Sequence, residues 1–347
     1  MWSRPAVALV AGLALVAGCG SGVRRASTPA AVSAGAPGPA LTLEQQYESV
    51  VKTVLPSVVQ INTDSGLGSG IVYDAKGDIV TNDHVVSGAH RIEVTSPSSK
   101  SPLPAKLIGE FAANDLAVVR VKGGTPLVPA TFGDSSRLAV GQIVMAMGNP
   151  LGLSGSVTNG IVSALGRTVT SQREGAFPGA TIAGAVQTSA PINPGNSGGA
   201  LVTLANQVVG IPTLTISDPQ IGGAAAGIGF AIPSNTVKLI ANQLIASGRV
   251  KESGRAAIGA KVRTVVDERG DVTGVGVVSV TPGGAAAKAG IAADDVILSV
   301  NGVRTPTTTA LAEALAALKP GQRVQVEIQH PDGAKGTATV TLAQLPG

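Results

Sequence analysis

At 347 residues the chain is long enough for about two domains of ~150 residues each. Apolar residues at 44%, charged residues at 13%, 46 glycines and 22 prolines exclude a disordered polyelectrolyte and fit a strand-rich, turn-rich globular protein. A net charge of only +4, scattered along the chain, and 2% aromatics leave little to neutralise phosphates or stack bases, so nucleic acid is not an expected partner.

The single cysteine, Cys19, rules out an intrachain disulfide. The three histidines (His84, His90 and His330) form no cluster with cysteines or carboxylates at metal-ligand spacing, so neither metal nor cofactor is expected. His90 and His330 lie in polar, turn-like stretches and read as solvated.

Residues 1–18 read as an export signal, with Arg4 ahead of an apolar run from Ala6 to Ala17 that is short for a membrane span of ~20 residues. The run ends in Val16-Ala17-Gly18-Cys19, which resembles the bacterial lipoprotein signal. That resemblance implies lipidation of Cys19, held at the outer face of the cytoplasmic membrane or in the periplasmic space. The alternative is an ordinary cleaved signal with an incidental cysteine. Residues 19–41, rich in Ser, Ala, Gly and Pro, cannot bury a core and read as a flexible tether.

Residues 42–248 form the first expected domain. Thr42 with Gln45 makes a capping box, and Leu43, Tyr47, Val50, Val51 and Val54 follow helical spacing until Pro56. Short apolar runs then recur: Ser57–Asn62, Ile71–Tyr73, Ile79–Thr81, Arg91–Thr95, Ala105–Glu110, Leu116–Lys122, Gln142–Met147, Gly160–Leu165, Ala185–Thr188, Ala200–Thr203, Gln207–Ile211 and Ile228–Ile232. Gly66–Gly70 reads as a turn between them. Many short strands at this spacing predict antiparallel barrels or a sandwich, so the fold class is mainly β. A helix capped by Ser234 and ended by Gly248 follows. Residues 249–256 read as a linker, and residues 257–347 as a small α/β domain of several strands around one helix, Thr308–Leu318.

The stretch Asn193-Pro194-Gly195-Asn196-Ser197-Gly198-Gly199-Ala200 is poor helix and poor strand material. Its glycines permit a sharp turn whose amides point into a cleft, beside a serine hydroxyl: the geometry that acyl transfer needs. His84 follows a strand-like run, 113 residues before Ser197, and suits a general base. Asp115, at the edge of the apolar run Leu116–Lys122, can accept the imidazole N–H. Asp83, Asp64, Asp74, Asp78 and Asp134 compete with it.

The order His, Asp, Ser within Thr-Asn-Asp-His-Val, Asn-Asp-Leu-Ala-Val and Gly-Asn-Ser-Gly-Gly-Ala resembles the HtrA/Deg family of trypsin-like serine proteases, over about residues 43–345. The resemblance implies a double six-stranded β-barrel protease followed by one PDZ domain. It implies His84 as base, Asp115 as its orienting partner and Ser197 as nucleophile, with an oxyanion hole at Gly195, Asn196 and Ser197. The primary specificity pocket would be floored by Pro191 and lined by Ile192, Ile228, Gly229 and Phe230. With no carboxylate there, small aliphatic residues would be favoured. Ile258, Gly259 and Ala260 would form the carboxylate-binding loop of the PDZ domain, assisted by Arg255, with a peptide C-terminus added as a strand. Arg167–Gly184 would be a mobile sensor loop.

The expected activity is an envelope serine endopeptidase acting on misfolded, regulatory or membrane-anchored proteins, assembled as a homotrimer. A chaperone or scaffold with little proteolysis is the alternative. Two features depart from the family: no long insertion between Asp64 and Ile71, and Ala200 where proline is frequent.

Overall fold

A computed structural model describes residues 39–99, 101–122, 127–149, 155–171, 177, 179–193, 195–218, 223–267 and 269–347. The expected signal, Cys19 and the tether up to residue 38 lie outside the described residues. Helix α1 runs Pro39–Val54, so it starts ahead of the expected cap and Thr42 lies inside it. Proline's fixed φ suits the first position of a helix and here supplies the start. Val50 and Val54 sit in the main core, with Tyr47 and Val51 packed against it.

The first barrel is built from β1 (Val58–Thr63), β2 (Leu67–Val72), β3 (Asp78–Thr81), β4 (Ile92–Thr95), β5 (Leu103–Phe111) and β6 (Leu116–Val121). It closes in the order β1-β2-β3-β6-β5-β4, with the short helix α2 (Asp83–Val86) after β3. The expected turn Gly66–Gly70 is mostly strand. Val85 packs so close that a Cβ at Gly68 would lie 2.7 Å from it, so glycine there serves packing and not turning.

The second barrel comprises β7 (Ile143–Gly148), β8 (Ser156–Thr170), β9 (Thr181–Thr188), β10 (Ala200–Thr203), β11 (Val208–Asp218) and β12 (Gly223–Pro233). It closes in the order β10-β11-β12-β9-β8-β7. Closure removes exposed sheet edges in both barrels. The expected loop Arg167–Gly184 is shorter than anticipated. Arg167 pairs with Ala185, Val169 with Ile182 and Thr170 with Thr181, through three register shifts. Bulges hide the period-2 pattern by which strands are read from sequence. Ile182 and Phe177 are buried.

Helix α3 (Ser234–Ser247) buries Val237, Ile240, Ala241 and Leu244. Ser234 does not cap it: its hydroxyl donates to the Gly133 carbonyl at 3.0 Å, and Pro233 holds the cap position. The polar stretch after Gly248 is tied down, since the Gln243 side chain accepts from Lys251 N and Glu252 N at 3.0 and 2.9 Å.

The C-terminal region contains β13 (Ala256–Ala257), β14 (Ala260–Val266), β15 (Val272–Val280), α4 (Ala285–Lys288), β16 (Val296–Val300), β17 (Val303–Arg304), α5 (Thr308–Ala316), β18 (Arg323–Gln329), β19 (Lys335–Thr341) and β20 (Ala343–Gln344). Its sheet runs β14-β15-β16-β18-β19, with β17 on β16 and β13 paired to β20. A separate core of Val275, Ile297, Leu311, Val326 and Val340 fills it. His330, read as solvated, has its side chain 42% exposed and also bonds through Nδ1 to the buried Asp295 carboxylate at 2.8 Å. His90 is exposed as expected, with Asp64 at 3.2 Å. Leu43–Gly347 forms one compact unit, and α5 packs on β8 and β9.

Candidate active site

His84 occupies the first turn of α2, directly after β3, with its side chain 24% exposed. Asp115 follows the 3-10 turn Ala112–Asn114, which ends β5, in the left-handed conformation (φ 53°) and is fully buried. That conformation costs most L residues about 1–2 kcal/mol but is tolerated by aspartate. It aims the carboxylate at α2. Asp115 Oδ2 lies 2.8 Å from His84 Nδ1, and Oδ1 accepts from the His84 amide at 3.0 Å. Thr213 on β11 donates its hydroxyl to the same Oδ2. Asn82 donates to the Asp115 carbonyl at 2.9 Å. Three donors on one carboxylate satisfy it without water and fix its orientation. Phe177 meets the imidazole edge-on, with ring centroids 5.8 Å apart.

The rival carboxylates are engaged elsewhere. Asp78 holds Arg120 by a two-pronged bond at 2.6 and 2.8 Å. Asp74 accepts from amides of its own turn, Asp134 from Ser136 and Asn235, and Asp64 from His90. Asp83, adjacent to His84, is buried with neither oxygen hydrogen-bonded, and burial pushes its carboxyl up to about 7, helped by Glu110 and Asp115 nearby.

Ser197 lies in a tight turn anchored between the barrels. Ser69 N donates to the Ser197 carbonyl at 2.9 Å, and Gly198 N to the Pro212 carbonyl at 3.1 Å. Ser69 Oγ donates to the Gly195 carbonyl at 2.5 Å and accepts from Asn149 N at 2.7 Å. Thr81, three residues before His84, donates to the Ser69 carbonyl at 2.7 Å, which ties the serine turn to the histidine strand. Within the turn, the amides of Asn196, Gly198 and Gly199 find carbonyls. Those of Gly195 and Ser197 have no acceptor among the described residues. A turn with two free amides flanking a hydroxyl is equipped to hold an oxyanion.

The five pocket residues do not all face one space. Pro191 is exposed, and its carbonyl accepts from Thr158 and Asn196. Ile192 and Gly229 lie against each other, and Ile228 is half-buried. Phe230 is 3% exposed and packs, on the strand face it shares with Ile232, in the main core common to both barrels and α3.

Ile258 is buried in the C-terminal core, and its carbonyl accepts from Ala286 N at 2.7 Å. Gly259 takes φ 72° and leads into Ala260, the first residue of β14. Arg255 departs from expectation. Its guanidinium turns to the first barrel, where Nη1 donates to the Ala113 carbonyl and lies 3.5 Å from Asn114 Oδ1.

Sequence reasoning missed Ser69, Thr213 and Asn82. Ser69 was hidden inside a presumed turn. Thr213 follows the apolar run Val208-Val209-Gly210-Ile211-Pro212 and is the first of three alternating hydroxyls with Thr215 and Ser217, so the sequence does not single it out.

Two closed six-stranded barrels with this site between them, followed by a six-stranded sheet with its own helix, define a trypsin-like serine endopeptidase carrying one PDZ domain. Residues 68–211 match the trypsin-like peptidase domain and residues 256–342 the PDZ domain. The chain is 39% identical over 333 residues to the serine protease PepD of Mycobacterium tuberculosis, covering 91% of this chain and 70% of that protein. It is 37% identical over 283 residues to the periplasmic serine endoprotease DegP of Escherichia coli K12, covering 80% of this chain but 57% of that longer relative. Among solved structures it resembles the HtrA-type protease AlgW with decapeptide, at a TM-score of 0.57 and 28% identity, over 87% of this chain and 99% of that one. The chain belongs to the HtrA/Deg family of trypsin-like serine proteases.

Proposed function

We propose that the chain cleaves exported proteins by an acyl-enzyme route run by His84, Asp115 and Ser197. The bond from His84 Nδ1 to a buried, fully satisfied Asp115 carries this reading. With Nδ1–H held on the carboxylate, Nε2 is left as the basic nitrogen. It takes the proton of Ser197 Oγ as that oxygen adds to the scissile carbonyl. The amides of Gly195 and Ser197 receive the resulting oxyanion. Collapse of the tetrahedral adduct breaks the C–N bond, and the imidazolium returns its proton to the leaving amine. Water, deprotonated by the same nitrogen, then frees the acid and restores Ser197. Pro191, Ile192, Ile228 and Gly229 bring no charge to the entrance, which favours small aliphatic side chains.

The Gly259–Ala260 entry to β14 is the seat for a peptide C-terminus that adds as a strand and tunes activity. Export follows from the apolar segment after Arg4 and agrees with the periplasmic setting in the name of DegP. Cys19 is the anchoring point for a lipid, and misfolded or membrane-anchored envelope proteins are the substrates. The protease domain assembles as a trimer beside α1, for which sedimentation of the purified protein as a monomer would be the refuting result. The test of function is cleavage of casein. Ser197→Ala, folded by circular dichroism, loses all turnover and all labelling by a fluorophosphonate. Retained turnover refutes the assignment.

A further inference from the structure

The left-handed Asp115 is fixed by bonds from Asn82, Thr213 and His84, all within the barrels. One further contact on its turn comes from outside them. Arg255 is held through its backbone at the edge of the PDZ domain: its carbonyl accepts from Leu345 N at 2.8 Å, and its own amide donates to Ser253 Oγ at 3.2 Å. Its side chain crosses to the first barrel and grips Ala113 and Asn114, the two residues before Asp115. Asn114 is 2% exposed, so the turn that leads into Asp115 is packed within the protein.

The guanidinium is held without a carboxylate among the described residues, and its Nε is buried without a partner. Burial lowers its ordinary value to about 10, which leaves it cationic at neutral pH. A cation placed in so poorly compensated a position is costly for stability alone. Charge-assisted donation to a carbonyl is, however, directional and stiff. The space beside it is a cleft of about 260 Å³ lined by Ala113, Ser171, Thr181, Arg255, Thr308 and Thr309, so α5 and the turn of Asp115 share one wall.

We infer that Arg255 is a positioning residue through which the PDZ domain sets the orientation of Asp115 and thereby the basicity of His84. This rests on the triad reading above. A shift of the PDZ domain that withdraws Arg255 frees the Ala112–Asn114 turn, lets the carboxylate swing from Nδ1, and lowers the base strength of the imidazole.

The experiment uses the full chain as wild type, Arg255→Ala, Arg255→Lys and Ser197→Ala, with a chromogenic peptide substrate. Arg255→Ala is expected to lower kcat about 10–100-fold, the loss typical of a misplacement near 1 Å, with KM little changed. The acid limb of its kcat/KM profile moves to lower pH, because the imidazolium loses its aligned carboxylate. The His84 Nδ1–H proton resonance moves upfield and broadens. Arg255→Lys, which keeps one charged donor, recovers part of both. Asp83 and Glu110 are the other titratable groups facing this cluster and are common to all variants, so the shift reports the His84–Asp115 pair.

An unchanged profile and resonance in Arg255→Ala, with only a lower melting temperature, overturns the inference and leaves Arg255 as packing. If Arg255→Ala does not fold, an unmoved acid limb in Arg255→Lys and in Asn114→Ala overturns it equally. Turnover retained by Ser197→Ala would instead overturn the triad itself.

Discussion

The serine turn is the most demanding piece of geometry in the molecule, and Gly198 tests it. Its φ of +80° favours glycine, and a Cβ placed there would lie 2.1 Å from the Ser69 carbonyl oxygen and 2.5 Å from Thr81 Oγ1. Ordinary contact begins near 3.4 Å, and the first obstacle is backbone, so Gly198→Ala displaces the turn by on the order of 1 Å. The left-handed φ adds about 1–2 kcal/mol against folding. Gly141 supplies the control: its φ is +89°, and nothing lies within 4 Å of a Cβ there. Gly141→Ala therefore carries the φ cost without the collision. In a chromogenic peptide assay with fluorophosphonate titration of active serines, Gly198→Ala is expected to lose at least about 100-fold in kcat/KM while Gly141→Ala loses only melting temperature. Equal activity in the two variants would refute the argument that the turn's position, held by Ser69 and Thr81, sets the rate.

Asp115→Asn should lose about 10⁴ in kcat by presenting a donor where the imidazole needs an acceptor, whereas Asp134→Asn should be near wild type. Thr213→Val, which removes one charge-assisted bond to Asp115, is expected to lose at most about 100-fold, read from initial rates. Asp83 binds its proton more tightly folded, at about 7 against an ordinary 3.8, so its contribution to stability is complete below the lower value and declines as pH rises toward the higher. The melting temperature of Asp83→Asn should therefore gain on wild type between about pH 4 and 8, and a constant difference across that range would contradict the assignment. Cys19→Ala should move the protein from the membrane fraction to the soluble fraction, and mass spectrometry finding an unmodified N-terminus elsewhere in wild type would rule out the lipid.

His84 and Ser197 were legible in the sequence because each lies in a local signal: a histidine closing an apolar strand run, and a serine enclosed by glycines whose conformational freedom is a property of the residues themselves. Alternating short apolar runs likewise determined the mainly β class, since burial on one face of a strand imposes period two wherever the strand lies. The separate pattern beyond residue 256 marked a second core in the sequence.

The resemblance pointed to Asp115, but spacing alone left five other aspartates in competition, and only the tertiary structure brings residue 115 to residue 84. It also revealed that Thr213 completes that carboxylate across 98 residues of chain, that Ser69 pins the serine turn across 126, and that Arg255 reaches back 142 residues to Ala113 and away from the groove. Side-chain hydrogen bonds extend about 3 Å and carry no sequence periodicity, so contacts between such distant segments leave no trace along the chain. The strand ends β8 and β9, where bulges break the alternation, were unreadable for a related reason: pairing between strands, and not the order of residues within one, holds them in place.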